Sequence, residues 1–181
     1  MIAGIPYWRL SSFYFFYFAL VGALSPFFSL YLHDIGLTVQ AIGIVNAVIL
    51  GTKIIAPNLW GWLCDRTGKR LRIISIGSFF ALMCFGGLFY WKTLLPILFI
   101  TFIYSFFWNA VLSQFDTVTI QYLKKDSHRY SQVRLWGSVG FIVSVIILGW
   151  LFDSVSIEYL IPIAWVLLLV WLSTLTLKEP S

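Results

Sequence analysis

The chain is 181 residues long, 60% hydrophobic, 19% aromatic and only 10% charged, with a formal net charge of +5. A soluble domain carries about 25% charged residues, and one globular core has no room for this apolar excess. A soluble domain is therefore excluded, and the chain reads as an integral membrane protein. Its positive charge is a question of where the cations sit, and no nucleic-acid partner is expected.

A membrane-spanning helix needs roughly 20 mostly apolar residues. Six such segments follow one another: Ser11 to Leu32, Ile42 to Leu63, Ile73 to Trp91, Leu95 to Leu123, Val133 to Phe152 and Tyr159 to Leu177. The fold expected is all-α and membrane-embedded, one domain over residues 1–181 in contact with the lipid bilayer. No cleavable signal is expected ahead of the first span. The first, third and fifth connections hold Asp34, Lys92, Asp153 and Glu158. The second and fourth hold Arg66, Lys69, Arg70, Arg72, Lys124, Lys125 and Arg129, with Arg134 just inside helix five. With Arg9 and Lys178 at the ends, ten of the twelve basic residues fall on one side. The positive-inside rule puts that side and both termini in the cytoplasm of a cell (inner) membrane. Cys64 and Cys84 lack metal-ligand spacing and read as core thiols; no metal and no cofactor is expected.

Two charges lie within spans. Lys53 is about 16 Å into helix two, and Asp116 lies about 12 Å from the basic end of helix four at 1.5 Å per residue. A charged group at the bilayer centre costs at least about 2.5–3.5 kcal/mol, so each marks a functional site or a structural partner. On helix four, Thr101, Ser105, Asn109, Ser113, Asp116 and Thr119 share one face, and a polar stripe on a spanning helix faces protein or water. Helix one repeats the pattern with Ser11, Tyr14, Phe18, Gly22, Ser25 and Ser29, with Pro26 available to bend it. In helix two, Asn46, Lys53, Pro57 and Trp60 share a face, while Gly43, Ala47 and Gly51 form a small face suited to close helix packing. In helix five, Arg134, Ser138 and Phe141 align, and Gly137, Gly140 and Ser144 form the small face.

Between helices two and three the sequence runs Gly61-Trp-Leu-Cys-Asp65-Arg66-Thr-Gly68-Lys69-Arg70-Leu-Arg72. This resembles the signature loop of the major facilitator superfamily. Gly61 permits close approach of a neighbouring helix, Gly68 a tight turn, and Asp65 can accept from amides at a helix start. In that family the loop clasps a helix of the other half and helps control opening, so Gly61, Asp65, Arg66, Gly68, Lys69 and Arg70 are expected in gating. The stretches Pro26 to Gly43 and Arg134 to Phe141 resemble the phenylpropionate permease branch, a relative of lactose permease and the nucleoside–proton symporters. Asn109, Ala110, Asp116 and Arg134 are similar to the stretch of lactose permease that supplies a carboxylate–arginine pair for sugar binding. That permease has Glu where this chain has Asp116, and a stacking Trp where it has Phe141.

The resemblance covers helices one to six. It implies the N-terminal half of a major facilitator fold, two three-helix inverted repeats that work against a second six-helix half. That half is a separate chain, a missing C-terminal part or a second copy. The function implied is secondary active transport, proton-coupled uptake of a small organic solute such as an aromatic carboxylate, rather than an enzyme activity. The expected solute site combines Asp116, Arg134, Asn109, Phe141, Lys53 and Ser138, with Arg134 able to take a carboxylate bidentately and Phe141 to stack on a ring. The alternatives are a sugar or nucleoside symporter half, and a truncated or non-transporting membrane protein. A membrane protease is disfavoured because His33 and His128 fall in loops on opposite sides.

Overall fold

The computed structural model describes residues 6–123, 129–173 and 175. Lys124, Lys125, His128, Lys178 and the end expected for helix six lie outside the described residues, as does the side chain of Ala110. Within a bilayer every backbone amide needs an internal partner, which a helix supplies. The chain accordingly forms α1 (Tyr7–Asp34), α2 (Val39–Thr67), α3 (Arg70–Phe85), α4 (Leu94–Leu123), α5 (Tyr130–Phe152) and α6 (Leu160–Ser173). Short 3₁₀ turns, Gly86–Phe89 and Ile157–Tyr159, follow α3 and precede α6. Five helices are long and apolar enough to cross a membrane, taking α3 together with its 3₁₀ turn; the sixth is shorter over its described part.

Local chemistry sets the helix ends. The Thr38 hydroxyl accepts from the Ala41 amide at the start of α2. Gly68 ends α2 with φ of 68°, and its N–H reaches the Cys64 carbonyl at 2.9 Å, a left-handed cap suited to glycine. The third apolar segment, expected as one helix to Trp91, tightens at Gly86-Gly87 instead. There a Cβ on Gly87 would sit 2.8 Å from Ile100 Cδ1.

Packing follows a pattern of exchange. Helix α1 lies chiefly on α5 and then on α6; α4 lies chiefly on α2 and then on α3. Swapping the first three helices for the last three maps each contact onto another, as two inverted three-helix repeats require. A ring cluster joins α1, α4 and α6: Phe13 and Trp171 are 5.4 Å apart, and Trp108 and Trp171 are 4.7 Å apart.

The α1–α5 seam is built on small residues, as expected for Gly137, Gly140 and Ser144. A Cβ on Gly140 would collide with the Phe15 carbonyl, and one on Gly137 would meet the Phe18 ring at 2.6 Å. One on Gly22 would approach the Phe141 carbonyl at 2.8 Å and Ser144 Cβ at 3.3 Å. The small face of α2 behaves differently from expectation. Gly43 and Gly51 have nothing within 4 Å of a built Cβ, and Ala47 is exposed. Helix α2 meets α4 through its other face, where Thr52 is buried.

Candidate functional site

A cavity of about 640 Å³ lies among α1, α2, α3 with its 3₁₀ turn, and α4. The polar stripe of α4 faces it, with Thr101, Ser105, Asn109, Ser113 and Asp116 all in the lining. Phe18, Ser25 and Ser29 contribute from α1, and Asn46, Lys53 and Pro57 from α2. The rest of the wall is mainly aromatic and aliphatic. Tyr17 and Trp108 stack with centroids 4.3 Å apart and planes 2° from parallel, and Tyr104 continues the stack 6.0 Å from Trp108. Phe85 lies 5.0 Å from Tyr104. The stacked rings pack one another and leave a mainly apolar wall to the cavity.

At the end of the cavity nearest the Gly61–Arg72 loop, Arg134 Nε lies 3.9 Å from Asp116 Oδ1. The two side chains are 33% and 27% exposed, so the pair is partly open. Its guanidinium also lies over the rings of Phe18, 4.6 Å from the centroid, and Tyr14, 5.3 Å. The Tyr14 hydroxyl donates to Asp116 Oδ1 at 2.7 Å and lies 3.1 Å from the Thr119 hydroxyl. Tyr130, at the start of α5, lies beside both Asp116 and Arg134. Asp116 is thus held from α1 and α5 together, which restricts the directions from which it is open.

A second polar group lies farther along α4. Asn109 Nδ2 donates to the Thr52 hydroxyl at 2.9 Å; Thr52 in turn lies 2.8 Å from the Ser105 hydroxyl. Asn46 Nδ2 donates to the Ser29 hydroxyl at 3.1 Å, tying α1 to α2. The Thr101 and Tyr104 hydroxyls are buried with no hydrogen-bond partner among the described residues. Lys53 is exposed and has no ion pair there.

The structure brings Asp116 and Arg134 into contact and places Asn109 and Lys53 in the same cavity lining. Ser138 is exposed and Phe141 half-buried on α5; neither lines the cavity. Trp60 turns toward α4, 5.9 Å from Phe106 and 5.4 Å from Phe107. Sequence reasoning missed Thr52, and it missed Tyr14 as the partner of Asp116. Tyr14 carried a signal, its place on the polar face of α1. Thr52 carried none, since it follows a glycine on a helix read for its small face.

The Gly61–Arg72 loop is tied back to α4. The Arg70 guanidinium donates to the Asp65 carboxylate and, at 2.6 Å, to Gln114 Oε1. Gln114 is buried two residues from Asp116, and a Cβ on Gly61 would sit 3.4 Å from its Nε2. At the opposite end of the bundle Lys92 donates to Glu158 at 3.2 Å, and that bond holds the exposed Lys92 ammonium above its ordinary range. No group of three or more His, Cys, Asp or Glu placed to hold a metal occurs among the described residues.

The comparisons with known proteins agree with this architecture. Residues 7–180 match the family model described as MFS_1 like family. The chain is 29% identical over 150 residues to the maltose permease of Geobacillus stearothermophilus, covering 80% of this chain and 37% of that one. It is 30% identical over 143 residues to the probable 3-phenylpropionic acid transporter of Escherichia coli K12, covering 75% and 36%. In structure it resembles a mutant of the nucleoside transporter NupG, with TM-score 0.88 and 19% identity over 97% of this chain and 45% of that one. The chain therefore spans less than half the length of the relatives it matches. It belongs to the major facilitator superfamily, within the MFS_1 like family, and its fold is the N-terminal six-helix half of that architecture.

Proposed function

We propose that the chain is half of a secondary transporter that takes up a small aromatic carboxylate together with protons. Its place is the inner membrane, with both termini and the Gly61–Arg72 loop cytoplasmic, as the distribution of basic residues supports. It works against a second six-helix half, because the axis relating the halves of such transporters runs beside the solute site. That half is a separate chain, a continuation of this one or a second copy.

The observation that carries the reading is the make-up of the cavity, a wall with stacked Tyr17, Trp108 and Tyr104 that ends on Asp116, which Arg134 meets from α5 just outside the lining. An apolar, aromatic-rich wall suits an aromatic ring, and a planar guanidinium suits a carboxylate. At 3.9 Å the pair is loose enough for Arg134 to exchange Asp116 for a solute anion. Ser138 and Phe141 extend the site along α5 on the side facing the second half. The Asp65–Arg70–Gln114 link runs from the loop to the α4 segment that carries Asp116, so closure at the loop bears on the pair.

The test is uptake of radiolabelled 3-phenylpropionate by cells expressing the chain with its second half. Accumulation abolished by an uncoupler, and lost in Asp116→Asn and Arg134→Lys proteins that still insert, is the expected result. Wild-type uptake by both variants would remove the site. A sugar or nucleoside is the second reading, favoured by the Thr52–Ser105–Asn109 hydrogen-bond chain, which suits a neutral hydroxylated solute. It predicts uptake that no carboxylate competes with.

A further inference from the structure

We infer that Lys53 is a second anion-binding post, the residue that makes the cavity select a monocarboxylate over its neutral analogue. The inference rests on the aromatic-carboxylate reading above and adds to it a residue and a charge rule.

Three observations carry it. Lys53 and Asp116 are the charged residues of the cavity lining. Asp116 already faces Arg134, so their formal charges cancel. Lys53 has no carboxylate within ion-pair distance among the described residues. The site as built therefore carries one positive charge over, and a solute with a single negative charge neutralises it. Intramembrane cations are costly and are retained where they meet a partner or a permeating ion.

The surroundings of Lys53 suit a carboxylate with a ring behind it. Its neighbour Thr52 is bonded to Asn109 and Ser105, which puts Lys53 level with the middle of α4. Asn109 gives one amide proton to Thr52 and has a second N–H to offer. The Tyr17–Trp108 stack forms part of the same cavity wall. Along α4, Asn109 is seven residues from Asp116, about 10 Å at 1.5 Å per residue. Lys53, level with Asn109, and Arg134, beside Asp116 and outside the lining itself, thus stand at different heights along α4. A solute carboxylate held by Lys53 leaves the Asp116–Arg134 pair closed.

The experiment is equilibrium binding to the full chain, purified with whatever it assembles with and placed in lipid nanodiscs. The probes are 3-phenylpropionate and its neutral amide, 3-phenylpropionamide, which share shape and differ by one charge. The wild-type protein is expected to bind the carboxylate at least tenfold more tightly than the amide. Lys53→Met should bind both alike, with amide affinity unchanged, and Lys53→Arg should restore most of the preference. If Lys53→Met does not accumulate, Lys53→Gln, which keeps a polar tip, is read the same way. A neutral variant that keeps the carboxylate preference overturns the post while leaving the transport reading intact. That result is also expected if Lys53 pairs with an acid of the second half. Failure of the folded wild-type protein to bind either probe overturns the aromatic-acid reading, and the post with it.

Discussion

Two helix crossings related by the exchange of the repeats, α1 on α5 and α4 on α2, hold the bundle together by opposite means. The first is a glycine seam in which the backbone of α5 comes up against the Phe15 carbonyl and the Phe18 ring. The second is hydrogen-bonded, Thr52 on α2 engaging Ser105 and Asn109 on α4. Between membrane helices there is little hydrophobic drive, so close packing and interhelical hydrogen bonds are the two available sources of affinity. The repeat dictates where helices cross but leaves open which source each crossing uses. The crossing built on side-chain polarity lines the cavity through Ser105 and Asn109, whereas the glycine seam reaches it only through the Phe18 ring.

The largest effect should come from the glycine seam. Gly140→Leu places a side chain where the Phe15 carbonyl stands, and the variant should fail to give monodisperse protein by size-exclusion chromatography. Gly43→Leu, on the open small face of α2, should elute as wild type. Equal behaviour of the two would show that the seam is not what holds α1 to α5.

Next comes the charged end of the cavity. Asp116→Asn should cut uptake by more than about tenfold, because charge-assisted contacts are worth more than neutral ones, while leaving the protein folded. Tyr14→Phe removes only the hydroxyl that reaches Asp116. Loss of one such bond costs about 1–3 kcal/mol where the partner stays buried. Asp116 is partly exposed, so the effect should fall at the low end, as a several-fold rise in the solute concentration for half-maximal uptake.

The polar crossing should give less. Thr52→Val keeps the shape and deletes the hydroxyl that joins three residues. Interhelical hydrogen bonds in membranes average about 0.6 kcal/mol, so thermal stability should fall only modestly. Solute affinity should fall with it, since Asn109 loses its orientation. A stability loss with unchanged affinity would make the crossing purely structural. The smallest effect belongs to the exposed Lys92–Glu158 bridge at the far end of the bundle, where Lys92→Met should change neither melting nor uptake measurably.

The sequence is most informative where a property repeats along one helix. The polar stripe from Thr101 to Asp116 and the small face of α5 both show in the spacing, because one face of one helix carries each. Contacts between helices far apart in sequence leave no such trace. Tyr14 meets Asp116 across 102 positions, and Arg70 meets Gln114 across 44. Periodicity can say that Tyr14 faces inward but cannot name its partner. The small face of α2 shows the converse limit: Gly43, Ala47 and Gly51 have the spacing for close packing, yet none of the described helices packs against a Cβ built at Gly43 or Gly51. Spacing marks a face that can be approached and does not supply the neighbour.

In the proposed site the solute lies in the cavity along the polar face of α4. Ser113 lines that cavity, and Gly43 does not. The most direct measurement is alkylation of Ser113→Cys by N-ethylmaleimide in a protein whose Cys64 and Cys84 have been replaced by Ala, with and without saturating 3-phenylpropionate. Bound solute is expected to slow labelling at position 113 severalfold while leaving a Gly43→Cys control unchanged. Labelling at position 113 at the same rate with and without bound solute would contradict it.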